Sequence, residues 1–140
     1  MTLVVVNQGE EDLLDAILAV NYTLRLHKND VTDGLSAGQI EALTESDFTE
    51  ADFTGYSSKA LTGGSWTTTP GDPCVGVYVQ QTFTSTADQS PQACYGYYVT
   101  RASDGALQWF EDFSSPLTIE FNGEGIAVTP RLTLADTGDA

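Results

Sequence analysis

Apolar and polar residues alternate with a period of two through most of the chain, the spacing of half-buried β-strands. The clearest case is a pair of aromatic and β-branched runs, residues 93–101 and 106–113, on either side of Ala102-Ser103-Asp104-Gly105. They predict a central β-hairpin. A three-residue loop with Gly105 left-handed sets Val99 opposite Trp109, Tyr95 opposite Phe113, Arg101 opposite Leu107 and Tyr97 opposite Glu111, where the phenol can meet the carboxylate. A four-residue loop would instead oppose Val99 to Gln108 and mix the faces. A second hairpin is expected where Leu117, Ile119 and Phe121 alternate, Gly123-Glu124 turn in type II′ form, and Ile126, Val128 and Leu132 return. Phe121 then opposes Ile126 and Ile119 opposes Val128, while Pro130 puts the last strand at an edge.

Earlier in the chain, Val75, Val77, Val79 and Phe83 alternate with polar residues as one strand, followed by a polar loop over 84–92. Residues 56–62 and 65–69 read as short strands around the turn Gly63-Gly64, with Trp66 closing one end of the core, and Pro70-Gly71-Asp72-Pro73 is turn chemistry. Residues 21–28 alternate too: Tyr22, Leu24 and Leu26 face inward, and Arg25 and His27 face solvent. One stretch breaks the rule of two. Leu13, Leu14, Ile17 and Leu18 recur at helical spacing, so residues 10–20 form an amphipathic helix, with Asn7 as its cap and Glu10, Glu11 and Asp12 in the first turn. Ahead of it residues 2–6 form an extended arm. Between the first strand and residue 53 the chain is polar and acidic, with a short helix capped by Ser36 that docks Ile40 and Leu43; Phe48, Phe53 and Tyr56 return it to the core.

These elements predict an all-β fold, an antiparallel β-sandwich of jelly-roll or immunoglobulin-like type with one short N-terminal helix. The 140 residues divide into an arm over 1–9, a single domain over 10–135 and a loose acidic tail over 136–140.

Charge narrows the function. Twenty acids stand against only Arg25, Lys28, Lys59, Arg101 and Arg131, a net charge of −15. Phosphate binding needs clustered cations, so no nucleic acid is expected as a partner, and no anionic membrane surface. The run Leu3-Val4-Val5-Val6 is too short for a secretory signal, and no stretch is long enough to span a bilayer.

Candidate chemistry is sparse. Cys74 and Cys94 are expected as free, packed thiols at opposite ends of a strand pair, and the lone His27 lacks partners for zinc. A calcium loop aligned on Asp33-Gly34 places Val31 and Ile40 at ligand positions, so no metal and no cofactor is expected. Glu111 and Asp112 point to opposite faces of one strand and cannot act together on a glycosidic bond. There is no nucleophile elbow and no phosphate-binding glycine loop, which argues against an enzyme. Tyr78, Tyr98 and Phe110 share the faces opposite the apolar rows and form a candidate exposed aromatic ledge for sugar rings. Leu3, Val4, Val5 and Val6 are the candidate subunit-interaction residues, a β-branched run without an evident partner strand.

Residues 13–24 and 48–56, Leu61-Thr62-Gly63-Gly64-Ser65-Trp66, Tyr95-Gly96-Tyr97-Tyr98-Val99-Thr100 and Gly105-Ala106-Leu107-Gln108-Trp109 resemble small structural proteins of tailed bacteriophages. The resemblance spans most of the chain and carries no catalytic motif; residues 34–45 are longer than in the pattern. It implies a virion component assembled in the host cytoplasm: a capsid decoration or cement protein, or a small tail or fibre part. Its implied partners are other virion subunits, the major capsid protein first, and further copies of itself, a trimer by capsid symmetry. The alternative is a glycan-binding β-sandwich.

Overall fold

The computed structural model describes residues 3–135. It is an all-β fold of antiparallel sheets with one substantial helix near the N-terminus. The main sheet has four strands in the order β2-β1-β6-β7: β1 (Tyr22–His27), β2 (Lys59–Leu61), β6 (Gln92–Arg101) and β7 (Leu107–Ile119). The inward row of β1 is Tyr22, Leu24 and Leu26, as its alternation requires, and Leu24 and Leu26 pair with Val99 and Tyr97 of β6.

The central hairpin forms with Val99 opposite Trp109 and Tyr97 opposite Glu111, yet its loop is not the expected one. Arg101 N–H donates to the Ala106 carbonyl, and Gly105 (φ +75°) closes a four-residue loop onto the Arg101 carbonyl. Thr100, not Arg101, pairs with Leu107, so Gln108 bulges out and restores the parity that a four-residue loop alone would lose. A second irregularity sets Tyr95 alone against residues 113–116, so the expected Tyr95–Phe113 pair is absent and Pro116, which cannot donate, sits in the gap.

The expected strand over Val75–Phe83 is two strands, β4 (Cys74–Val77) and β5 (Gln81–Thr84). The expected second hairpin does not form either. β8 (Gly125–Val128) pairs with β5, and β9 (Arg131–Leu134) pairs with β4, whose other neighbour is β3 (Thr67–Thr69). The result is one bent ribbon. Val77 opposes Arg131, Tyr78 N–H donates to the Pro130 carbonyl, and Gln81 opposes Val128, so residues 78, 79 and 80 stand against only 129 and 130. The extra residue flips the parity of one arm. Cys74, Gly76 and Tyr78 face inward before it and Phe83 after it, which leaves Val77 and Val79 exposed, while Ile126, Val128 and Pro130 stay inward throughout. The cysteine strands are therefore not hairpin partners as expected, and both thiols are free and buried. The reverse turn at residues 121–124 is real, with Gly123 at φ +90° in its third position, but the β8 it leads into pairs with β5 and not back with β7.

Helix α1 spans Asn7–Leu18, three residues earlier than expected, and Asn7 lies inside it. Val6 is the N-cap: its carbonyl accepts from Glu10 N–H, and no side chain caps the end. The C-terminal carbonyls are taken by Tyr22 Oη on Ile17 (2.7 Å) and Gly64 N–H on Leu18 (3.1 Å). Gly63 is required there, because a Cβ would collide with the Ala19 carbonyl. Leu14 and Leu18 pack over Gly76 and join the main core with residues of both the sheet and the ribbon, among them Leu24, Val99, Phe83 and Ile126. The arm expected over 1–9 is thus shortened by the helix, and the tail expected over 136–140 lies outside the described residues.

A second, smaller core lies on the other face of the main sheet. Residues 28–53 cross that face, held by Lys28 N–H on the Thr49 carbonyl, Ala51 N–H on the Leu26 carbonyl and a reciprocal clasp between Asn29 and residues 47 and 49. Helix α2 (Ala37–Glu41) starts with the Ser36–Gln39 capping box. Beneath this cover Val31 and Phe48 bury Tyr98, with Leu43, Leu107 and Phe110 at the margin.

Candidate functional site

The aromatic ledge does not exist as a surface. Tyr98 is 0 % exposed, its ring stacked on Phe48 at 4.7 Å, and Phe48 meets Phe110 edge-on at 5.3 Å. Tyr78 lies on the opposite side of the structure in the main core, edge-on to Trp66, with its hydroxyl accepting from Thr62 N–H. Tyr98 and Phe110 are cross-strand partners in the second core, while Tyr78 lies in the main one, so the three form no common exposed surface. Both faces of a central strand are covered here, one by the ribbon and one by residues 28–53.

His27 is also not a surface residue. It is wholly enclosed between Phe48 and Tyr98, with Nδ1 2.8 Å from the Asn29 carbonyl and Nε2 3.4 Å from Asp112 Oδ1. Burial lowers its pKa; the Asn29 carbonyl and the Asp112 and Asp30 carboxylates act against that shift. Nearby, Tyr56 Oη donates to Glu50 Oε2 (2.7 Å) and accepts from Leu26 N–H, while Arg25 Nη1 holds Glu50 Oε1 at 2.8 Å. Lys28 and Gln92 share Asp52. These contacts bind residues 47–56 to β1 and β6. His27 Nε2 is buried without a hydrogen-bond partner; the other groups bond within the chain, and the arrangement fastens a cover to a sheet. Tyr97 Oη, paired in register with Glu111, makes no hydrogen bond; burial first, then the Glu111 charge, push its pKa up to about 12. Among the described residues no three His, Cys, Asp or Glu side chains converge as a metal site would require, and no helix is long and apolar enough to cross a membrane.

The arm is where the surface departs from an ordinary one. Leu3, Val4 and Val6 are 77, 61 and 66 % exposed, and Val5 turns back so that a Cβ on Gly9 would stand 3.2 Å from its Cγ1. An open groove beside the arm is lined by residues 4–8, Glu10 and Asp72. Fully burying one such side chain is worth roughly 1.5–3 kcal/mol.

Sequence reasoning missed the continuation of this surface on α1. Leu13, Ile17 and Val20 are 53, 40 and 39 % exposed, whereas Leu14 and Leu18 are buried. The signal was available: four apolar residues within six positions make a stripe wider than a single docked face needs. Comparisons of the chain with protein-family models, with curated proteins and with solved structures find no match.

Proposed function

We propose that the chain is a non-catalytic structural subunit of a tailed-phage virion, a capsid decoration or cement protein that holds neighbouring subunits through its N-terminal arm. One observation carries the subunit-binding role: Leu3, Val4 and Val6 stand in solvent ahead of a helix that is itself firmly packed. An apolar segment rooted in a rigid element can add to a neighbour's sheet edge or lie in its groove at little ordering cost. The placement in a virion follows from the resemblance of the hairpin segments, with the major capsid protein as first partner and a trimer as the assembled form. In this reading the four-stranded sheet and the bent ribbon are the two layers of a sandwich, supported by the single core that draws on both. A small tail or fibre component would use the same arm. The glycan-binding alternative loses its platform with the burial of Tyr78 and Tyr98.

Deletion of residues 1–4, which leaves Val5 and the Val6 cap of α1 in place, tests the proposal in particle assembly. The truncated chain is expected to melt close to the full chain and to be lost from purified particles; undiminished incorporation overturns the arm's role.

A further inference from the structure

We propose that Asp33 is a modification site: in the folded chain its carboxyl closes onto the Gly34 backbone nitrogen, and the peptide passes through a cyclic imide into the isoaspartyl form. An aspartate or asparagine followed by glycine is open to this reaction, because glycine carries no side chain to shield its nitrogen. The sequence contains three such pairs, Asp33-Gly34, Asp104-Gly105 and Asn122-Gly123. By sequence alone Asn122 is the most reactive, since a neutral amide is attacked more readily than a carboxylate. The structure reverses that order.

Two of the pairs sit in the same kind of turn, which makes the comparison direct. Leu35 N–H closes on the Thr32 carbonyl at 3.1 Å and Glu124 N–H on the Phe121 carbonyl at 3.2 Å, and each turn has its glycine in third position, Gly34 at φ +73° and Gly123 at φ +90°. They differ in what holds the attacking nitrogen. Gly123 N–H donates to the carbonyl of the buried Ser85 at 2.9 Å, Asn122 N–H to Asp88 Oδ1 at 2.8 Å, and Ser85 N–H to the Glu124 carbonyl at 2.8 Å. Ring closure at Asn122 must first break these bonds.

At Asp104 both reacting groups are engaged. Gly105 N–H donates to the Arg101 carbonyl at 2.8 Å, and the carboxylate accepts two bonds from Arg101 and one from Ala106 N–H. The Arg101 guanidinium holds that carboxyl down at about 2, so little of it is in the protonated form that loses water. Asp33 has none of these restraints. Both Asp33 and Gly34 are exposed, neither the carboxylate nor the Gly34 N–H has a hydrogen-bond partner among the described residues, and a Cβ on Gly34 would meet nothing within 4 Å.

The reaction needs only water. The Gly34 nitrogen bonds to Asp33 Cγ while its proton and the carboxyl hydroxyl leave together as one water. A second water then cleaves either carbonyl–nitrogen bond of the ring. Cleavage at the original backbone carbonyl leaves the chain running through Cγ, one methylene longer, with a free α-carboxylate and no net change of atoms. The added methylene falls within residues 28–53, the segment that covers Tyr98.

The test ages the purified full chain at pH 6 and reads each site by isoaspartyl methyltransferase labelling and peptide mapping. In the folded chain the peptide carrying Asp33 is expected to gain isoaspartate at least about tenfold faster than those carrying Asp104 or Asn122. In guanidinium chloride Asp104 is expected to rise to the rate of Asp33, and Asn122 to overtake both. Asp33→Glu, at an exposed position, can close only a slower six-membered ring; it is expected to melt like the parent and to lose the signal. Folded-state rates at Asp104 or Asn122 that match Asp33 overturn the proposal. So does a ratio of Asp33 to Asp104 that denaturant leaves unchanged, or a folded chain that gains no isoaspartate at residue 33.

Discussion

The imidazole of His27, sealed from solvent, lies 3.4 Å from the Asp112 carboxylate, whose side chain remains 37 % exposed. One partner is inside the protein and the other at its rim. Burial outweighs the attraction of Asp112, so the folded pKa lies below the ordinary value of about 6.5. The unfolded chain then takes up a proton first as pH falls. Stability linked to His27 is complete above that ordinary value and is lost as pH falls from it toward the folded pKa. Melting temperatures between pH 7.5 and 5 are expected to fall more steeply for the parent than for His27→Gln. Parallel slopes would remove His27 as the cause.

Gly96 makes room for that imidazole. A Cβ there would collide with the Glu111 carbonyl and stand 2.8 Å from both Asp112 Cα and His27 Nε2. Two of the three neighbours are backbone and cannot rotate away. Gly96→Ala is expected to cost about 2–3 kcal/mol in urea denaturation, the upper range of overpacking. Gly38, within α2, meets nothing within 4 Å, so Gly38→Ala is expected to be neutral or to stabilise by up to about 1 kcal/mol. A reversal of that order would contradict the packing described.

The Tyr98 hydroxyl is buried without a hydrogen-bond partner. Removing an unsatisfied hydroxyl costs little, and Tyr98→Phe is expected to hold or raise stability. Tyr98→Ala leaves a cavity under Phe48 and is expected to cost about 3–5 kcal/mol. Denaturant midpoints of the two variants distinguish a core ring from an exposed platform, for which the alanine change would be nearly silent.

Both cysteines are 0 % exposed, and burial raises both thiol pKa values, that of Cys94 to about 11. Only the thiolate reacts with disulfide reagents. At pH 8 neither thiol is expected to titrate in the native protein, and both are expected to do so once it is unfolded. Fast labelling of the native chain would contradict their burial.

The sequence shows its strands far better than their partners. Alternation is local, and it identified β1 with its inward Tyr22, Leu24 and Leu26 and the pairing of Val99 with Trp109. The loop between β6 and β7 is one residue longer than alternation predicts, and the bulge at Gln108 compensates for it in the register. Residues 117–128 carry a pattern equally compatible with pairing to each other or to distant strands; the ribbon takes Ile126 and Val128 to β5 instead. Of the candidate interaction residues, Leu3, Val4 and Val6 are exposed as an arm requires, while the ledge residues are not.

By itself the sequence determines an antiparallel β fold with an N-terminal helix and a strongly anionic chain, because periodicity, turn residues and net charge are properties of neighbours along the chain. Only the tertiary structure decides that Tyr98 and His27 are interior and that Leu13 and Ile17 are not. Whether the second face of a strand or helix meets water depends on what crosses it. Here residues 28–53 cover one face of the sheet, and nothing among the described residues covers the outer side of α1.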